Sequence, residues 1–278
     1  MRKIIRKTVG VLGSQGMLGS AVAEYFSRKN YRVIMIDRNN FDVLINSPSE
    51  LKQIIKKVDV IINCIGLIKP TIGHYTPEQA LEINGLFPWN LARMCNSLHI
   101  KCLHIATDCV FSGKKGYYVE SDLVDADDLY GLTKAAGDTN LCMTLRTSVI
   151  GEELGNSRSL LEWIKSQRNQ QVNGFENHRW NGVTTVELAR CMETIIGRGW
   201  YSPGIYHIFS PEILNKYQLL KLVSNVYGLN LKITKTKAQM AVDRSLRSEK
   251  SLVKKLKIRS IKEQIMEMKD FFSNSDGK

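Results

Sequence analysis

No stretch of the 278 residues is apolar for long enough to span a bilayer. The most hydrophobic run, Val60 to Ile68, falls far short of the roughly 18–20 residues that a membrane helix needs. The opening MRKIIRKTVG carries charge but no extended apolar segment, so no secretory leader is expected. Cysteine is sparse and scattered: Cys64, Cys95, Cys102, Cys109, Cys142 and Cys191 form no C-x-x-C pair and share no ligand spacing with histidine. That usage excludes a disulfide framework and a zinc site, and it fits reduced, buried thiols in a cytoplasmic protein. The five histidines are isolated from one another, so no metal is expected. Low-complexity tracts and internal repeats are lacking too. With 43% hydrophobic and 24% charged residues, the chain reads as globular, soluble and unanchored.

Acidic residues are the scarcer charge, 27 Asp+Glu against 39 Lys+Arg, for a net +12. Such an excess raises nucleic acid, a membrane surface or a polyanionic small molecule as partners. Its distribution decides among them, because +7 of the +12 lies in the last 48 residues, from Leu231 to Lys278. There Leu252, Val253, Leu256, Ile258, Ile261, Ile265 and Met268 recur at helical spacing through Lys250–Lys269. This predicts an amphipathic helix packed on the body with a charged outer face. No aromatic platform is interleaved to stack bases, so neither nucleic acid nor membrane is expected as a partner.

Through the first half, apolar β-branched runs alternate with helix-period segments, the pattern of βαβ units and a parallel sheet. Strands are expected at Lys7–Leu12, Arg32–Ile36, Val58–Ile62, His99–Thr107 and Met143–Val149. Helices are expected at Met17–Arg28, from the capping box Ser47-Pro48-Ser49-Glu50 to Lys57, over Pro77–Ser97 and from Leu129. From Gly151 the rhythm changes. Helical periodicity in Leu160–Gln167, Thr185–Ile196 and Tyr217–Val226, with a short strand at Ile205–Ile208, suggests a smaller appended subdomain. The expected architecture is therefore α/β: a Rossmann-type doubly wound parallel sheet over 1–150, with a strand returning near 205–208. A smaller C-terminal subdomain, mainly for substrate, would fill 151–278.

Gly13-Ser14-Gln15-Gly16-Met17-Leu18-Gly19 sits between the first strand and the first helix, and Asp37 closes the second strand. This is the dinucleotide-binding arrangement. Glycine permits the tight turn, lets a pyrophosphate reach the backbone and aims the helix N-terminus at its charge. Asp37 would accept hydrogen bonds from an adenosine ribose and favour NAD(H), whereas Arg38 could pair with a 2′-phosphate and favour NADP(H). The sequence leaves both open; a reductive biosynthetic role inclines the reading to NADP(H).

Tyr130 and Lys134 stand one helical turn apart, as do Tyr25/Lys29 and Tyr217/Lys221, so the spacing alone carries little. Context singles out the first pair. It opens a helix that follows a strand ending in Thr107-Asp108, whose C-terminal edge is where doubly wound folds bind ligands. There Thr107 would hold a substrate oxygen while Tyr130 gives it a proton, and the Lys134 ammonium would favour the phenolate.

Taken together, several blocks resemble the extended short-chain dehydrogenase/reductases, and within them the dTDP-4-dehydrorhamnose reductase group. They are the glycine turn, Asn63-Cys64-Ile65-Gly66, Ile83-Asn84-Gly85, His104 through Gly113, Tyr130-x-x-x-Lys134 and Leu145-Arg146-Thr147-Ser148. The resemblance implies NAD(P)H-dependent reduction of the C4 ketone of a nucleotide-linked 4-keto-6-deoxy sugar. It makes Thr107, Tyr130 and Lys134 the catalytic trio, with Asn84 supporting the lysine, Asn63 through Gly66 lining the cofactor site and Asp108 and Cys109 facing substrate. A homodimer is a further family expectation. Two departures reshape the sugar pocket, Cys109 where that group usually has tyrosine and Val149 where it has an aromatic. With Trp180 through Arg190 and Val242-Asp243-Arg244-Ser245-Leu246, the chain is similar to a subgroup acting on UDP-linked 2-acetamido-2,6-dideoxy-hexos-4-uloses to give UDP-N-acetyl-L-rhamnosamine. A diphosphate-bearing substrate makes Lys69 and Arg244 its candidate cations; Trp180 would stack on the base or pack in the core. The rival reading is a non-catalytic NADP-binding regulator, since the regulatory subunit of methionine adenosyltransferase resembles this same family.

Overall fold

The chain is described from a computed structural model, over residues 7–153 and 159–273. The apolar runs of the first half become β1 (Thr8–Leu12), β2 (Arg32–Ile36), β3 (Val60–Asn63), β4 (Lys101–Thr107) and β5 (Met143–Thr147), joined by β6 (Gly204–His207). They form one six-stranded central sheet in the order β6-β5-β4-β3-β1-β2. The β1–β2, β1–β3 and β3–β4 pairings are parallel. The order reverses between β1 and β3, and that reversal opens a crevice at the C-terminal edge of the sheet.

By contacts the chain divides into two interleaved compact units rather than at one boundary. The first holds the described residues to Thr107, Asp127–Arg146 and Met192–Tyr206; the second holds Asp108–Ala126, the described residues from Thr147 to Cys191, and those from His207 on. In the first unit, helices α1 (Met17–Arg28), α2 (Pro48–Ile55), α3 (Lys69–Ile72), α4 (Pro77–Leu81), α5 (Phe87–Ser97) and α6 (Leu129–Ala136) accompany the strands. Leu12, Ile36 and Ile61 from the sheet meet Leu51 and Ile55 of α2 and Leu91 and Cys95 of α5 in one buried cluster. Burying the apolar face of the sheet in this way is the main favourable term for this half of the chain.

The single helix expected over Pro77–Ser97 is interrupted. Residues Glu82–Leu86 form a π-turn between α4 and α5. Pro88 has no N–H to give the carbonyl of Asn84, four residues back, and its ring crowds that position. The Asn84 carbonyl lies against Gly137, where an added Cβ would sit 2.0 Å from it. Single π-turns of this kind often mark functional positions, and this one carries Asn84.

Among its described residues the second unit contains three small sheets that the sequence reading did not anticipate. Gln171–Phe175 pairs in parallel with Lys232–Thr236, and His178–Trp180 lies between Leu214–Asn215 and Val242–Asp243. Val149–Ile150 pairs with Val183–Thr184. The amphipathic segment expected as one helix over Lys250–Lys269 is two, Leu252–Leu256 and Ile261–Ser273. Lys257 breaks it, held in the left-handed region at φ 47°. For an L-residue that conformation costs about 1–2 kcal/mol, part of which glycine would return as extra unfolded-state entropy. Lys257→Gly should therefore raise stability by about 0.5–1 kcal/mol, read as a higher urea midpoint with unchanged slope.

Candidate active site

Within the first unit the glycine turn forms where β1 meets α1. Gly13 adopts φ 74° and its N–H donates to the Ile36 carbonyl at 2.8 Å, while Gly16 N–H donates back to the Gly13 carbonyl at 3.0 Å. An added Cβ on Gly13 would lie 3.1 Å from the backbone of Cys64 and Ile65, and one on Gly19 would lie 2.1 Å from the Gly13 carbonyl oxygen. The turn, the loop leaving β3 and α1 therefore touch through bare backbone. Helix α1 starts with no side-chain cap and no acidic residue in its first turn. Its N-terminal amides, Met17 and Leu18 among them, present uncompensated positive charge suited to an anion such as a diphosphate.

At the end of β2, Asp37 Oδ2 accepts from Gln15 Nε2 at 2.5 Å, and Oδ1 accepts from the Asn39 and Asn40 N–H groups at 2.9 and 3.2 Å. Ser14, next to Gln15, is buried. Arg38 pairs with Asp42 at 3.3 Å and donates to the Tyr75 hydroxyl at 3.2 Å. Its side chain is nonetheless 67% exposed, and the Tyr75 contact raises its pKa further.

The loop after β3 meets α6. Asn63 is buried: its Oδ1 accepts from Ile65 N–H, and its Nδ2 lies 3.1 Å from His104 Nδ1 across the β3–β4 ladder. Burial pushes the Cys64 thiol up to about 12, with the Lys134 charge opposing, so this thiol stays neutral. Lys134 lies over Gly66, where an added Cβ would sit 2.9 Å from the lysine Nζ. Asn84 accepts from Leu67 N–H at 2.8 Å and donates to Thr133 Oγ1 at 3.2 Å, which fixes the loop to α6.

Asp128 caps α6 by accepting from Gly131 N–H at 2.7 Å. Tyr130 and Lys134 then lie one turn apart on the same helix. Lys134 is buried, and its Nζ donates to the Ile105 carbonyl of β4 at 3.3 Å. Burial lowers its pKa to about 8, with Asp138 pulling the other way. Lys69 lies 2.5 Å from Asp128 and 5.8 Å above the Tyr130 ring. Its charge is thus engaged beside Tyr130. Thr107 ends β4 and is buried. The first unit therefore brings together the glycine turn, Asn63 to Gly66, Asn84, Thr107, Tyr130 and Lys134 at the C-terminal sheet edge.

The other candidates belong to the second unit. Asp108 and Cys109 follow Thr107 in a short 3₁₀ turn, Asp108–Val110. Arg244 Nε donates to the Phe111 carbonyl at 2.7 Å, so part of its guanidinium serves the backbone. Trp180 is 7% exposed and its indole N–H donates to Ser148 Oγ at 2.8 Å, an arrangement of the subdomain core. Among the described residues, no group of three or more His, Cys, Asp or Glu side chains is placed to hold a metal, and no helix is long and apolar enough to cross a membrane.

Over residues 7–271 the sequence matches the family described as "RmlD substrate binding domain". The chain belongs to that family. A dTDP-4-dehydrorhamnose reductase of Mycolicibacterium smegmatis is 27% identical over 49% of this chain and 41% of its own length, so the chain aligns with under half of that relative. Methionine adenosyltransferase 2 subunit beta of Xenopus tropicalis is 25% identical over 79% of this chain and 72% of its own. Among solved structures, dTDP-4-dehydrorhamnose reductase from Bacillus anthracis in complex with NADP superposes with a TM-score of 0.80 at 19% identity, covering 97% of this chain and 100% of that one. That likeness establishes the fold.

Two side chains that the sequence reading of this RmlD-family chain passed over stand next to its candidate residues. Asp138, four residues beyond Lys134, is buried against Arg146. Lys216, first residue of the helix Lys216–Tyr227, has its pKa lowered by burial while Asp108 and Cys109 oppose the shift. Both are contacts through space. No spacing in the sequence announces Lys216, whereas Asp138 continues the i, i+4 series from Tyr130 and Lys134 and was readable on that ground.

Proposed function

We propose that this RmlD-family chain reduces the C4 ketone of a nucleotide-linked 4-keto-6-deoxy sugar at the expense of NADPH, and that its substrate is UDP-2-acetamido-2,6-dideoxy-L-hexos-4-ulose. One observation carries the proposal: a tyrosine and a buried lysine on one turn of α6, at the same sheet edge as an uncapped, glycine-lined helix N-terminus. The cradle suits a dinucleotide. Gly13 and Gly19 let the loop after β3 and α1 close onto the turn, and bare backbone at Gly16 leaves room for a diphosphate over the α1 amides. Exposed Arg38, beside an Asp37 whose two oxygens already accept hydrogen bonds, favours a 2′-phosphate. When bound, the nicotinamide supplies the hydride for the carbonyl carbon.

The chain's own residues handle the oxygen. Thr107 orients it by hydrogen bonding and Tyr130 transfers its phenolic proton to the oxygen as negative charge develops. The Lys134 ammonium stabilises the charge left on the phenol, and bulk water restores the proton. With a pKa near 8, Lys134 is still mainly charged at neutral pH. The small side chains Cys109 and Val149, in place of the aromatic residues usual in the rhamnose reductase group, favour a substrate bulkier at C2, such as an acetamido sugar.

A second reading has its own support, the similarity to methionine adenosyltransferase 2 subunit beta over 79% of the chain. In that reading the protein binds NADP and regulates a partner without turnover. The experiment is NADPH consumption on adding the UDP-linked acetamido ketone, with the dTDP-linked 4-keto-6-deoxy sugar and NADH in parallel. Oxidation with the first substrate and a lower Michaelis constant for NADPH than for NADH are expected. Preference for the dTDP compound would return the chain to the rhamnose pathway. Silence on both with tight NADPH binding would favour the regulator.

A further inference from the structure

The Lys134 ammonium is buried in a shell with few compensating charges. From β3's exit loop it faces Cys64, a thiol that burial keeps neutral. From β4 it receives the Ile105 carbonyl at 3.3 Å and faces His104. That imidazole, fully enclosed with Nε2 unpartnered, is held neutral by burial and by Lys134 itself. The π-turn contributes the neutral amide of Asn84, whose Oδ1 and the Lys134 Nζ both lie against Gly66. The carboxylate that acts on it is Asp138, just past the end of α6, which pairs with Arg146 on β5.

Asp138 and Arg146 form a pair at 2.7 Å with both side chains only 5% exposed. Arg146 Nε takes Oδ2, while the buried Oδ1 has no hydrogen-bond partner. Half of this carboxylate is therefore left uncompensated in a low-dielectric interior, where Coulomb interactions reach further than at the surface. Lys134 lies one helical turn before it, and each group opposes the other's desolvation. A buried ion pair of this type is weak support for stability, so its position invites a functional reading.

We propose that Asp138 is a positioning residue for the site: its carboxylate, fixed by Arg146, keeps the buried Lys134 ammonium charged and thereby sets the upper end of the pH range in which Tyr130 and Lys134 work together. The catalytic half of this statement rests on the reductase reading; the electrostatic half does not. The sign follows from the charges. Without Asp138, Lys134 gives up its proton at lower pH, so the alkaline fall of activity moves towards neutrality.

The test uses the full chain without ligand, with ¹³C/¹⁵N-labelled lysine, following the Lys134 side-chain resonance against pH and assigning it by its loss in Lys134→Arg. The wild-type lysine should titrate near 8. Asp138→Asn should lower that midpoint by at least one pH unit, a tenfold change in proton affinity, and Asp138→Glu should restore most of it. Asp138→Asn/Arg146→Gln, which leaves neither member of the Asp138–Arg146 pair buried without its partner, should move the same way and serves if Asp138→Asn does not fold. An unmoved Lys134 midpoint in a folded variant overturns the proposal. The pH profile of kcat/KM then tests the catalytic half: the alkaline limb should shift with the resonance, whereas a merely structural role would lower kcat/KM at every pH and leave the limb in place. If the wild type turns over neither ketone, the reductase reading fails while the resonance still decides the electrostatic claim.

Discussion

Tyr130→Phe is expected to lower turnover by roughly 10²–10⁴-fold, the range that a positioned proton donor contributes, while NADPH affinity stays close to wild type. The substitution removes one oxygen and little else. The ring keeps its place under Lys69, the Asp128 cap on Gly131 N–H at 2.7 Å does not involve the phenol, and Lys134 keeps the Ile105 carbonyl. A fluorescence titration with NADPH beside steady-state kinetics separates the two effects. Turnover within a few-fold of wild type would take the proton step away from Tyr130 and leave the reductase reading without its donor. An equal loss of cofactor binding and turnover would instead make the phenol a binding group.

The parts of the site legible in the sequence are those whose physics is local. A strand, a turn that needs a left-handed residue at Gly13 and a helix opening on bare amides all fall within a dozen residues, so spacing alone reveals them. Tyr130 and Lys134 were legible only in part, because Tyr25/Lys29 and Tyr217/Lys221 share their spacing and only the strand ending at Thr107 told them apart. The π-turn at Asn84 had a readable cause in Pro88, but a proline near a helix start is usually innocent. In the second unit, Gln171–Phe175 alternates exposed and buried as a strand should, yet Gly174 occupies a buried position and hides the pattern. Glycine is required there because a Cβ would lie 2.7 Å from the Tyr217 Cα. Its partner strand is some 60 residues away, beyond the reach of any local signal. The assignment of Lys69 and Arg244 to a diphosphate illustrates the same limit, since the sequence gives their charge and the fold gives Asp128 and the Phe111 carbonyl as their companions.

The glycine turn allows a sharper test, because its second and third glycines fail for different reasons. A methyl on Gly16 would meet only the Gly13 carbonyl oxygen at 3.4 Å, an ordinary contact, at φ −73°. Gly16→Ala should therefore fold with an unchanged Tm and still lose dinucleotide affinity, since the methyl occupies the space that lets a pyrophosphate approach the backbone. A methyl on Gly19 would lie 2.1 Å from the Gly13 carbonyl oxygen, 2.7 Å from its carbon and 2.9 Å from the Ser14 Cα. All three are backbone atoms, so α1 must move away from the turn. Overpacking of this kind costs about 1–3 kcal/mol or more, and the displaced amides no longer converge on an anion. Gly19→Ala should lose both Tm and NADPH affinity, the latter by roughly a hundredfold if about 2.7 kcal/mol of alignment is forfeited. Gly73→Ala, with nothing within 4 Å of the added methyl, is the control that should change neither. Thermal melts and NADPH titrations of the three variants separate steric fit from ligand approach. Wild-type affinity in Gly16→Ala would move the diphosphate away from the N-terminus of α1.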